Sequence, residues 1–80
     1  MNEQARWDEE IRRIADGARH LVTHHKATAV IGVAVDDERK RDYFAPRLCE
    51  ILAHGWARYL TFRVVPMMGG EPIELKAIGQ

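Results

Sequence analysis

His20 and His24 stand four residues apart within a helical pattern, a spacing that can clip Zn²⁺ or Ni²⁺ to one side of a helix. Both project away from the apolar stripe of that helix, while His25 lies on it. A third ligand would have to be Asp16 or come from elsewhere in the chain. No glutamate separates the pair in the metalloprotease manner, so no metal site is assigned and a small metal-binding protein is only the third reading. Asp36 and Asp37 follow an apolar run, where phosphoryl-transfer folds hold Mg²⁺. Neither a phosphate loop nor a third ligand accompanies them, so Asp36 to Asp42 reads as a solvated loop or first helical turn.

Cys49 is the single cysteine. It lies five residues before His54, which turns the two to different faces of a helix, and it reads as a small core or edge hydrophobe rather than a nucleophile. One cysteine allows no intramolecular disulfide, which suits a reducing compartment. There is no Gly-rich phosphate loop, no nucleophile elbow and no carboxylate pair beside a cleft, so no catalytic residue and no cofactor is assigned. The expectation is a protein that is not an enzyme.

These residues must be positioned by few elements, because 80 residues make one small domain, 1–80, with a thin stability margin. A composition 46% hydrophobic and 30% charged is that of a globular chain, and twelve basic residues balance twelve acidic ones. The acidic N-terminus lacks the apolar core of a signal peptide, and no apolar run reaches bilayer length. A cytoplasmic protein is expected.

The organising stretch is 27–35, Ala-Thr-Ala-Val-Ile-Gly-Val-Ala-Val, an apolar and β-branched run that reads as a buried strand. Its bulkier odd positions, Ala29, Ile31, Val33 and Val35, are assigned to a helix-covered core. Val30, Gly32 and Ala34 then form a flat, apolar reverse face. Before it, residues 3 to 25 read as one helix with Trp7, Ile11, Ile14, Ala18, Leu21 and His25 on a single stripe. Asp8 with Arg12 and Glu9 with Arg13 are acid-first (i, i+4) pairs. Gly17 beside Ala18 is expected to let the helix approach the sheet, and Lys26 and Ala27 leave a tight connection. A second helix is expected over 43–54, with Phe44, Leu48, Ile51 and Leu52 inward, Pro46 within a turn of its start and Gly55 as its stop.

The last third alternates as a hairpin. A two-residue turn at Gly69-Gly70 sets Val64 against Leu75, Phe62 against Ala77 and Pro66 against Ile73. Leu60, Phe62, Val64, Pro66, Ile73, Leu75 and Ala77 then share the apolar face, while Tyr59, Thr61, Arg63, Val65, Met67, Glu74, Lys76 and Ile78 share the other. The fold expected is α+β: a two-layer sandwich of order α-β-α-β-β, with a three-stranded mixed sheet and both helices on one face.

The open reverse face is the best functional surface this pattern offers. Val30, Thr61, Val65 and Ile78, with Gly32 and Ala34, make an apolar patch of the kind that marks protein interfaces. Arg63 opposite Lys76 is a like-charge pair that could await an anion, with Tyr59 beside it. The leading expectation is a protein-binding module using Val30, Tyr59, Thr61, Arg63, Val65, Lys76 and Ile78. It would be an inhibitor or adaptor, of the kind phages and mobile elements use to block host machinery such as a defence complex, or antitoxin-like. A nucleic-acid-binding accessory protein using Tyr59, Arg63, Lys76 and Arg58 is the second reading. The patch is also expected to self-associate, most simply as a two-fold homodimer with reverse faces stacked.

Overall fold

Asn2 opens the first helix by accepting the Ala5 N–H on its side-chain oxygen at 2.7 Å. The computed structural model describes residues 2–25 and 28–78. Helix α1 (Glu3–His25) leads to strand β1 (Ala29–Val35), helix α2 (Glu38–Leu52), a single 3-10 turn (Gly55–Ala57), strand β2 (Leu60–Pro66) and strand β3 (Ile73–Lys76). The strands form one sheet in the order β1-β2-β3, with β1 parallel and β3 antiparallel to β2. This is the α+β order α-β-α-β-β that the alternation of patterns predicts. The Lys26-Ala27 connection lies outside the described residues.

The helix-covered face holds Val33, Val35, Leu60, Phe62 and Val64, all buried, beneath Phe44, Leu48, Ile51 and Leu52 of α2. Ile73 and Leu75 pack at the edge of this core, and Pro66 and Ala77 are buried with it. Alternation in β1 is clean, since the odd positions turn inward while Val30, Gly32 and Ala34 are exposed.

Helix α2 begins five residues earlier than the sequence suggests. Asp37 is its N-cap, accepting the Lys40 N–H at 3.0 Å, and Pro46 therefore lies in the interior. A proline there withholds the donor that the Asp42 carbonyl would accept, at a cost of about 3 kcal/mol. Pro46 and Asp42 are both exposed, and the Arg47 guanidinium donates to the neighbouring Tyr43 carbonyl at 2.7 Å. The charge run 36–42 is thus cap and first turn.

Helix α1 leans on α2 and on the 3-10 turn rather than lying over β1. Its buried line is consequently Trp7, Ile11 and Ala18, flanked by Ile14, Ala15 and Val22, while Leu21 is only half-buried and His25 is exposed. Gly17 makes no close approach to the sheet: it is exposed, and a Cβ built on it would meet nothing within 4 Å.

Charged and aromatic side chains fasten the two helices. Lys40 is 8% exposed, with its ammonium 2.9 Å from Glu10 and above the rings of Trp7 and Phe44, at 5.8 and 5.4 Å. Arg39 covers the other reach of Trp7, at 5.0 Å, while pairing with Glu3 at 2.7 Å. Asp8 does not pair with Arg12 as its spacing suggests. It accepts the Tyr43 hydroxyl at 2.7 Å and faces Arg47 at 3.8 Å, and Arg12 turns to Glu9 instead.

The hairpin register differs from the expected one by two residues. Phe62 opposes Leu75, Val64 opposes Ile73, Arg63 opposes Glu74 and Thr61 opposes Lys76. An even shift keeps every side chain on its expected face, so the pattern cannot detect it. The cause lies at the end of β2. Met67 and Met68 donate to the carbonyls of Val35 and Asp36, at 2.8 and 2.9 Å, and so continue the parallel pairing instead of turning back. Pro72 has no N–H to offer a ladder. Residues 67–72 therefore form a loop, with Gly69 and Gly70 at φ +103° and +120°, held by Arg41 donating to the Glu71 carbonyl at 2.7 Å.

Two outcomes follow from this packing. Leu48→Ala, at a fully buried site, should lower unfolding free energy in urea by about 2–5 kcal/mol. The bond to Asp8, with some burial, holds the Tyr43 phenol above its ordinary value of 10.0. A folded pKa above the unfolded one adds stability below the unfolded value and loses it as pH rises through the folded value. Subtracting the 295 nm titration of Tyr43→Phe from that of the wild type should therefore give a phenol midpoint above 10.0.

Candidate protein-binding surface

Backbone direction alternates along a strand, and in β1 two hydrogen bonds fix its phase. Ala29 N–H donates to the Tyr59 carbonyl at 3.1 Å, and the Val35 carbonyl accepts Met67 N–H, so the odd residues of β1 turn their backbone groups toward β2. Val30, Gly32 and Ala34 accordingly direct their N–H and C=O groups to the outer edge of the sheet. Those three residues also present their side chains, or bare Cα, on the open face.

Between this edge and α1 lies a groove of about 360 Å³, lined by Ile14, Gly17, Ala18, Ile31, Gly32, Val33 and Ala34. It exists because α1 bears on α2 instead of covering β1. A neighbouring recess continues it past Glu10 and Arg13 to Phe44. The β1 side of the molecule thus has small and apolar residues on its open face, a mostly apolar groove beneath, and outward-pointing backbone groups along its edge.

The open face divides into two halves. On the β1 half, Val30 is 66% exposed and Gly32 and Ala34 are exposed beside it. Val65, on the central strand, is half-buried, and Thr61 is only 4% exposed. The β3 half is charged, with Arg63, Glu74 and Lys76 all exposed. Arg63 stands opposite Glu74 and not opposite Lys76, so the like-charge pair expected from the two-residue turn is absent. Opposite charges facing across strands are favourable, and Lys76 stands diagonal to Arg63 instead of opposite it.

Tyr59 lies just before β2, 49% exposed, with the Arg58 guanidinium 5.2 Å from its ring. Ile78 is not on the sheet face. It falls beyond β3, 99% exposed, and lines a recess with Cys49, Leu52, Ala53 and Lys76. Cys49 is exposed there, on the β3 flank of α2, and does not enter the core.

His20 and His24 meet, but ring against ring, with centroids 3.9 Å apart and planes tilted by 30°. Nδ1 of His24 is 2.9 Å from the His20 carbonyl, so that nitrogen carries the proton and donates. Faces in contact do not converge lone pairs on one ion. Among the described residues no group of three His, Cys, Asp or Glu side chains is placed to hold a metal. A charged cleft of about 510 Å³ at the start of α1 is lined by Trp7, Lys40, Asp36 and Arg13 among others. Its Glu3, Glu9 and Glu10 are already paired with Arg39, Arg12 and Lys40.

Sequence reasoning found the reverse face but missed the edge. The available signal was the run from Thr28 to Val35, which contains no charge and no proline, the two devices by which edge strands resist pairing. Among the described residues no helix is long and apolar enough to cross a membrane.

Protein purified without a histidine tag and dialysed against Zn²⁺ should retain less than one equivalent by elemental analysis, and chelator should leave its thermal transition unmoved. Comparison of the chain with protein-family models, with curated proteins and with solved structures finds no match.

Proposed function

We propose that this chain is a non-enzymatic protein-binding module, an inhibitor or adaptor, that engages its partner through the apolar β1 half of its open sheet face. The observation that carries the reading is the exposure of Val30, Gly32 and Ala34 together on one uncharged strand. Scattered apolar side chains are ordinary on any surface, whereas a contiguous flat patch bordered by charge is the mark of an interface. Here the border is supplied by Arg63, Glu74 and Lys76. A small surface module of this kind suits the blocking of a larger machine by occlusion, as phage and mobile-element inhibitors or antitoxins act. The cytoplasm of the host is the corresponding location.

The test is affinity capture from the native host with wild-type protein, Val30→Lys and, as a control on the β3 flank of α2 away from β1, Cys49→Ser. A stoichiometric protein retained by wild type and Cys49→Ser, and reduced at least tenfold by Val30→Lys, supports the reading. A partner retained equally by all three overturns it, as does catalytic turnover by the isolated protein.

A further inference from the structure

We propose that β1 pairs, edge to edge and antiparallel, with β1 of a second copy across a two-fold axis at Gly32, joining two three-stranded sheets into one. The inference rests on the reading of the β1 side as an interface, and it names the first occupant of that side. An apolar surface alone would accept many partners, but the edge also offers the outward N–H and C=O groups of Val30, Gly32 and Ala34. Only another extended strand answers donors and acceptors repeating at this interval.

Several features select a second copy of the chain over a foreign strand. Antiparallel pairing about Gly32 sets Gly32 against itself and Val30 against Ala34 of the second copy. These are the residues whose backbone groups point outward, so each opposed pair exchanges two N–H···O bonds and none of the three residues is wasted. Within the strand itself, Ala29–Val35, this is the register that opposes all three residues to one another. The intervening pairs are Ile31 with Val33 and Ala29 with Val35. Large therefore meets small at the Val30 and Val35 positions, and the segment is complementary to its own reverse. The next pair outward is Thr28 with Asp36, a hydroxyl facing a carboxylate.

The second layer agrees with the first. Gly17 and Gly32 line the same groove, on opposite walls, so joining two edges at Gly32 turns the Gly17 side of each α1 toward the other copy. The two α1 helices would meet on the covered side of the joined sheet at a residue with open space over its Cα. Small residues permit such an approach, and Ile14 from each copy would close the groove that one copy leaves open. Edge pairing also leaves the open face free. It brings Val30 and Ala34 of both copies into one central strip, a broader surface for the foreign partner than either copy has alone.

The decisive geometry is that a two-fold axis places a residue beside itself. Cα atoms of an opposed, hydrogen-bonded pair lie about 5.5 Å apart, inside the disulfide range of about 4.4–6.8 Å. In a Cys49→Ser background, Gly32→Cys should cross-link into a dimer under mild oxidation at low protein concentration. Val30→Cys in the same background should not, since the two copies of that position lie more than about 13 Å apart. Wild-type protein at high micromolar concentration should scatter light as twice the 9.2 kDa of one chain. Gly32→Pro removes an N–H that points away from β2, and should give monomer with an unchanged far-ultraviolet spectrum. Val65→Lys, on the same face but on the central strand, should remain a dimer.

A monomeric wild type overturns the proposal. A partner lost on Val30→Lys in the capture experiment would then still stand as a foreign strand or surface. Loss of the dimer in Val65→Lys with retention in Gly32→Pro also overturns it, in favour of stacked faces. Equal cross-linking of Gly32→Cys and Val30→Cys overturns it as random collision. Should Gly32→Pro fail to fold, the cross-linking pair decides the matter unaided.

Discussion

Two parallel strands cannot be joined by a turn, and the pairing of β1 with β2 imposes that constraint on everything else in this chain. Their full register, from Ala29 with Leu60 to Val35 with Pro66, requires a crossover long enough to return to the start of the sheet. Helix α2 and the 3-10 turn supply that path, and their inner residues, Phe44, Leu48, Ile51 and Leu52, bury the face beneath them. The same pairing continues past Pro66 through the Met67 and Met68 amides. That continuation delays the chain's return, and so it fixes the length of the last loop and the register of β3.

With α2 occupying the centre of the covered face, α1 takes what remains. It lies beside α2 and is held by a set of contacts in which charge and aromatic surface cooperate. Lys40 sits above Trp7 and Phe44 with Glu10 at its tip, and Tyr43 reaches Asp8. A lysine so placed keeps its stem in the apolar layer and its ammonium satisfied, and burial without that partner would be costly. The consequence reaches the far side of the molecule. Because α1 is drawn toward α2, it does not cover β1, and the groove along Ile31, Gly32 and Val33 stays open.

The surface with most to offer a partner is thus a by-product of packing elsewhere. A sheet of three strands with helices on one side has an open face and two edges. Here β3 is short and bears Glu74 and Lys76, a protected edge by composition. Strand β1 has neither charge nor proline, and its exposed positions are the small and apolar ones. That asymmetry leaves β1 as the edge without the usual protection against strand pairing.

The residue pattern by itself determined the element order, the division of the sheet into a covered and an open face, and the face taken by each residue within the strands, though not that Tyr59, Met67 and Ile78 fall outside them. These follow from periods of 2 and 3.6 that depend only on local backbone geometry. It placed Val30, Gly32 and Ala34 outward and Phe62 and Val64 inward, as found. Tertiary structure decided what periodicity cannot see. A shift of two residues in the hairpin leaves every face unchanged, so the pairing of Arg63 with Glu74 rested on long-range hydrogen bonds from Met67 and Met68 to the end of β1. The start of α2 was settled by the Asp37 cap and the anchoring of Lys40, which outweigh an interior proline. The lean of α1, which turns Leu21 and Gly17 away from the core and exposes the β1 edge, was decided by side chains thirty residues and more apart meeting in space. A single helix carries no record of which neighbour it will lean on, because that choice is made by the partner's surface as much as by its own.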